Sequence, residues 1–174
     1  MKLSIVIPVY NEINTVLEVL RRLKVAGFDK EIIIVDDGST DETMEVLKEI
    51  KEKNIKVVFN EYNKGKSFSI RRGFEYITGD IVIIQDADLK YYPPEEYPIL
   101  IQKIIKRKAD VVYGTRFMVT HCVLHFYHYL GNALLDFLAN FLYDSNLSDI
   151  MTCYKALKSN VFKRIKLRAN GFDI

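Results

Sequence analysis

The chain has 174 residues, of which 49% are hydrophobic and 28% charged, and its 25 Lys and Arg against 23 Asp and Glu leave a formal net charge of +2. That length lies in the single-domain range and is enough to bury a sizeable core. So balanced a charge implies no strong nucleic-acid field. The two cysteines, Cys122 and Cys153, have neither the spacing of a zinc site nor a disulfide framework, and they fit a reducing cytoplasm.

The first element is a strand over Leu3–Ile7, ended by Pro8 and too short for a secretory signal. Further strands are expected at Ile32–Val35, Ile55–Phe59, Ile81–Gln85 and Val111–Tyr113. Helices are expected between them at Ile13–Lys24, Glu42–Lys53, Ser67–Ile77 and Pro94–Arg107, with Val16, Leu20 and Leu23 at helical spacing in the first. Thr40 or Asp41 is the candidate N-cap of the second. Such alternation with short connections argues for βαβ crossovers and a mostly parallel sheet in one α/β domain, residues 1–174.

The segment Ile81–Asp88 ends an apolar run in two aspartates, Asp86 and Asp88, one small residue apart. A buried strand would deliver both where a parallel sheet meets solvent, which is where open α/β sheets bind ligands. Carboxylates so close repel unless something positive intervenes, and a hard divalent cation carrying phosphate oxygens would serve. A polar strand-to-loop turn is the plain alternative. Other strand ends carry comparable clusters: Pro8-Val9-Tyr10-Asn11-Glu12, Asp36-Asp37-Gly38-Ser39-Thr40-Asp41 and Gly114-Thr115-Arg116. If the strands are parallel neighbours, all four clusters share one rim, as a polyphosphate nucleotide would require. Each alone is also ordinary turn chemistry.

The motifs P-V-Y-N-E, V-D-D-G-S-T-D, N-K-G-K, D-A-D-L and G-T-R-F, in that order, resemble family 2 glycosyltransferases of the GT-A fold. Ser148–Ala156 is similar to a stretch of the dolichyl-phosphate mannose and glucose synthases and their undecaprenyl-phosphate relatives. The resemblance covers essentially the whole chain. It implies a Rossmann-like, mostly parallel sheet flanked by helices, and an inverting transfer from a UDP- or GDP-sugar to a polyprenyl phosphate. By the same resemblance Pro8, Tyr10, Asn11 and Glu12 would line the nucleotide pocket and Asp37 would contact the base. Asp86 would lie near ribose and phosphate, Asp88 would bind Mg2+ or Mn2+, and Arg116 would face phosphate, with Lys64 and Lys66 as further phosphate contacts. Tyr10 could instead cover the sheet edge, Asp36 cap its loop, and Arg116 pair with a surface acid.

Two features depart from the family pattern. Lys90 stands where a neutral or acidic oxygen ligand usually does, and an ammonium cannot ligate a cation. The chain also stops at Ile174 where relatives continue. Both favour the alternative of a nucleotide-sugar-binding module with little or no transferase activity. A receiver domain fits less well, because the acid pair follows the second strand. No P-loop or dinucleotide glycine motif is present.

From Phe117 to Tyr154 the chain has no Lys or Arg, and His121, His125, His128, Asn132, Asp136 and Asn140 recur every three or four positions. This predicts a helix within Thr120–Tyr143 with a solvated polar stripe and a wide apolar face, covered by the domain or a second subunit, or less favourably by a membrane surface. The protein would then be cytoplasmic, with peripheral contact at the cytoplasmic membrane face as the second option. The basic tract Lys155, Lys158, Lys163, Arg164, Lys166 and Arg168 could receive a lipid phosphate or form a solvated helix face with loop charges.

Overall fold

The computed structural model describes residues 1–89, 95–115 and 126–165. Its elements run β1 (Leu3–Val9), α1 (Val16–Val25), β2 (Lys30–Asp36), α2 (Thr43–Lys48), β3 (Ile55–Phe59), α3 (Lys66–Phe74), β4 (Ile81–Ile84), α4 (Tyr97–Ile105), β5 (Val111–Tyr113), α5 (Phe126–Tyr143), β6 (Lys155–Lys158) and α6 (Ser159–Phe162). The six strands form one sheet in the order β3-β2-β1-β4-β6-β5. β1 to β4 are parallel, with Ile5 opposite both Ile32 and Ile83. β6 runs antiparallel to both neighbours, β4 and β5.

β6 corrects the expectation for the basic tract. Lys155–Lys158 is a strand rather than a solvated helix face, and Lys155 is only 6% exposed. Its formation depends on partners distant in sequence: Ile84 faces Lys155, and Val111 faces Leu157. β5 is therefore separated from β4 by β6, although it points the same way as the parallel strands.

The sheet buries both faces, which explains why its central strands read as continuous apolar runs. On one face Leu3, Ile5, Ile7, Ile32 and Ile83 pack with Val16, Leu20 and Leu23 of α1 and Tyr97, Leu100 and Ile104 of α4. On the other, Val6, Ile33, Val35 and Val82 pack with Ile70 and Phe74 of α3. A Cβ at Gly73 would lie 2.6 Å from Val6 Cγ1, so glycine lets α3 settle directly on β1. α2 starts one residue beyond the expected boundary and stops at Lys48, with the Asp41 carboxylate accepting the Thr43 N–H at 3.0 Å.

α5 departs from expectation in its orientation. Among the side chains described in α5 the buried one is Asp136, while Leu134, Phe137 and Phe141 are exposed. Asp136 Oδ1 accepts the Ile150 N–H at 2.7 Å, and Asn140 holds Leu147 through its backbone N–H and carbonyl, each at 2.8 Å. Asp136 and Asn140 of the polar stripe thus face the protein, and among the described residues no part of the domain covers the apolar side. His121 and His125 lie outside the described residues. Among those described, no helix is long and apolar enough to cross a membrane.

Candidate active site

The carboxyl ends of β1, β2 and β4 open on a pocket of about 380 Å³ whose lining includes Pro8, Tyr10, Glu12, Asp37, Lys66, Asp86 and Asp88. Three of the four strand-end clusters therefore converge. The fourth is displaced by β6, and Arg116 lies outside the described residues, as does Lys90.

Side-chain bonds sew the loops after β1 and β2 together. Asn11 adopts a left-handed φ of 54°, which asparagine tolerates well. Its backbone N–H donates to Ser39 Oγ at 2.9 Å and its Oδ1 accepts the Thr40 N–H at 2.8 Å. Asn11 is thus a loop-shaping residue and is not part of the pocket lining. Asp36 is fully buried and accepts Ser39 Oγ at 2.5 Å and Ser39 N at 3.1 Å, so it caps its own loop. Gly38 has φ 70°, and a Cβ there would come within 2.6 Å of the Tyr62 backbone. Only glycine permits that crossing.

Asp37 is held more elaborately. Oδ1 accepts Asn60 Nδ2 at 2.6 Å and Lys64 N at 3.1 Å, and Oδ2 accepts Gly65 N at 2.8 Å. Asn60 in turn accepts Arg72 Nη1 at 2.6 Å. Asp37 thereby fixes the N-K-G-K loop and aims α3, whose first residue Lys66 enters the pocket. The Lys64 side chain lies over Tyr62 and Phe68, at 4.7 and 4.9 Å from their ring centroids, outside the pocket lining.

At the end of β4 the alternation of a strand continues: Ala87 packs into the core while Asp86 and Asp88 face the pocket. Gln85 beneath them is buried, donating to the Asp86 carbonyl at 3.0 Å and accepting the Tyr97 hydroxyl at 3.1 Å. Asp86 forms an ion pair with Lys66, both less than one-fifth exposed. Burial pulls the Lys66 ammonium downward in pKa, but Asp86 and Cys153 more than offset it and the group ends above its ordinary value.

The antiparallel β6 brings in two residues that strand-end reading placed elsewhere or not at all. Cys153 lines the pocket, and Lys155 lies behind it, donating to the Thr152 carbonyl and sitting 5.0 Å from the Tyr113 ring. Burial is the main cause of a lowered Lys155 pKa; Lys66 adds to it, whereas Cys153, Asp86 and Asp149 oppose it. The signal for both was present in T-C-Y-K-A, but only a nonlocal strand pairing connects that segment to Asp86.

The resulting pocket presents hard oxygen ligands, the partly buried ammonium of Lys66 and an exposed aromatic edge at Tyr10. It suits a phosphorylated, hydroxyl-rich ligand. The glycosyl transferase family 2 model matches residues 4–166. The chain belongs to that family. Among its relatives, the dolichol-phosphate mannosyltransferase of Pyrococcus furiosus is 33% identical over 181 residues, covering 100% of this chain and 51% of that protein. An undecaprenyl-phosphate 4-deoxy-4-formamido-L-arabinose transferase from an Enterobacter species is 43% identical over 109 residues, or 59% of this chain and 33% of that one. The chain thus spans about half the length of the first and a third of the second. Among solved structures, Mycobacterium tuberculosis glucosyl-3-phosphoglycerate synthase with Mn2+, UDP and phosphoglyceric acid superposes with a TM-score of 0.72 at 23% identity, covering 98% of this chain and 60% of the synthase. S. aureus TarS 1–349 gives 0.63 at 22% identity, covering 94% and 49%. At such identities these two establish the GT-A fold, an α/β architecture with a mostly parallel mixed sheet.

Proposed function

We propose that residues 1–174 carry the donor site of an inverting glycosyltransferase that moves a sugar from a UDP- or GDP-sugar to a polyprenyl phosphate. The observation that carries this reading is the convergence of Asp37, Lys66, Asp86 and Asp88 on one rim pocket in a family 2 chain. The lipid acceptor rests on the names of the Pyrococcus furiosus and Enterobacter relatives.

The donor set fits a hard divalent cation, Mg2+ or Mn2+. Asp88 would hold it, with Asp86 beside it. Among the described residues no group of three or more His, Cys, Asp or Glu makes a complete cage. Such a cation would share its shell with donor phosphates and water, as small hard cations at nucleotide sites do. The chemistry it would supply there is positive charge against the leaving diphosphate.

The chain's own residues supply the rest. Asp37 holds the turn that aims Lys66, and Tyr10 with Pro8 offers an apolar edge to the base. Lys66 compensates Asp86; a donor diphosphate would compete for the same ammonium, which would stabilise the negative charge that develops as the diphosphate leaves. A phosphate acceptor is already anionic near neutral pH, so it requires orientation and desolvation rather than a general base. Attack on the face opposite the departing diphosphate inverts the anomeric centre.

Transfer from UDP- and GDP-hexoses to a short-chain, water-soluble polyprenyl phosphate, with and without Mn2+, tests the reading. Metal-dependent glycolipid formation that is lost in Lys66→Ala is expected. Nucleotide binding without transfer would establish the binding-module alternative instead.

A further inference from the structure

The burial of β4 continues one residue past its last apolar position. Gln85 is as buried as the strand before it, and an amide in such a place is unfavourable unless both its ends are bonded. Both are. Nε2 donates to the Asp86 carbonyl at 3.0 Å, and Oε1 accepts the Tyr97 hydroxyl at 3.1 Å. Chemistry fixes the orientation of the amide, because a carbonyl cannot donate and only the NH2 end can face Asp86. Tyr97 must then be the donor. Burial, with the Glu96 charge adding to it, pushes the Tyr97 hydroxyl well above the usual phenol range, so its proton stays in place.

These bonds lie directly beneath the pocket. The pairing of β4 with β1 runs to Ile84 opposite Val6, and the Gln85 N–H still donates to the Val6 carbonyl at 3.0 Å. Beyond that register the turn Asp86-Ala87-Asp88 is held from below. Ala87 packs into the core cluster that contains Tyr97, and Gln85 holds the Asp86 carbonyl. The Tyr97 ring lies 6.0 Å from that of Tyr154, the neighbour of Cys153 on the pocket wall. One buried side chain therefore connects α4, the turn bearing both aspartates and the β6 side of the pocket.

We propose that Tyr97 and Gln85 are positioning residues for the donor site: through the Asp86 carbonyl they hold the turn in the conformation that presents the Asp86 and Asp88 carboxylates to a cation and a diphosphate. This rests on the donor-site reading above. Docking of α4 alone does not call for the hydroxyl. Leu100, Ile101 and Ile104 already bury the apolar side of that helix, and the ring of Tyr97 makes its aromatic contacts without the oxygen. Only the hydroxyl reaches the turn. Hydrogen bonds one layer behind metal-holding carboxylates orient them, and losing one typically weakens metal binding by roughly 10–100-fold. Gln85 bonds the backbone beside the carboxylates, so the low end of that range, about tenfold, is expected for its loss.

The test is the gain in UDP or GDP affinity on replacing EDTA with Mn2+, read by calorimetry. The proteins are the parent, Tyr97→Phe, Gln85→Met, the double variant Tyr97→Phe/Gln85→Met, and Leu100→Ala as a core control. Gln85→Met should lose about tenfold of the Mn2+-dependent gain and Tyr97→Phe a smaller part of it, with affinity in EDTA unchanged. The double variant should match Gln85→Met, since the hydroxyl acts only through that amide. Leu100→Ala should lower the thermal melt at least as far as Tyr97→Phe while keeping the parent's gain. A Tyr97→Phe chain with the parent's gain overturns the proposal. So do losses that multiply independently in the double variant, or a Leu100→Ala loss equal to that of Tyr97→Phe, which would make the effect one of general stability. A parent that gains nothing from Mn2+ overturns the donor-site reading itself and this proposal with it. A parent that gains leaves that reading standing whatever Tyr97→Phe does.

Discussion

In α1, Val16, Val19, Leu20 and Leu23 are buried, while Glu18 pairs outside with Arg21 and Arg22 at 2.6 and 2.7 Å. In α5 it is Asp136 that is buried, and Leu134, Phe137 and Phe141 that face outward. Both sequences are amphipathic at the helical period. The period shows that a helix has two unlike sides, but the neighbouring elements decide which side is dry. α1 meets the apolar face of β1 and β2; α5 meets the polar backbone of the loop through residues 145–150.

That contrast can be broken by equivalent truncations. Leu20→Ala should lower unfolding free energy by about 2–5 kcal/mol, since it empties a fully packed position. Asp136→Ala should cost about 1–3 kcal/mol by orphaning the Ile150 N–H. Leu134→Ala should change stability by no more than about 0.5 kcal/mol, as at any exposed position. Urea unfolding of the three variants gives the order directly. A Leu134 loss as large as that of Leu20 would mean that α5 is packed apolar side inward.

A smaller effect should appear in acid. Burial works against ionisation of Glu31, but donors from Lys2, Ser4 and Thr78 prevail and hold its pKa at about 2, below the ordinary 4.5. A carboxylate with a depressed folded-state pKa adds stability that is complete above the unfolded value and is lost as pH falls through the folded one. The contribution of Glu31 should therefore fade from about pH 4.5 down to about 2. Glu31→Gln should flatten that limb of the stability profile, and an unchanged profile would remove Glu31 from the account.

The parallel part of the fold was legible because β1, β2 and β4 are apolar on both faces and run into polar clusters at Asn11-Glu12, Asp36-Asp37-Gly38 and Asp86-Ala87-Asp88. Asp37, Asp86 and Asp88 could be placed at the rim for the same reason. β6 was not legible: Lys155-Ala156-Leu157-Lys158 is short and basic, and its burial arises only from pairing with β4 and β5. Lys155 and Cys153 were therefore absent from the pocket picture. The role of Asp37 was legible only in part, because its bonds to Lys64 and Gly65 depend on how the loop after β3 returns.

Calorimetric titration of UDP and GDP with Mn2+ into the parent chain and Asp88→Asn tests the donor site most directly. The account predicts metal-dependent binding of one nucleotide to the parent, weakened roughly tenfold or more in Asp88→Asn as the loss of one charged contact would require, with the thermal melt unchanged. Equal affinity in the two proteins, or binding indifferent to Mn2+, would contradict it.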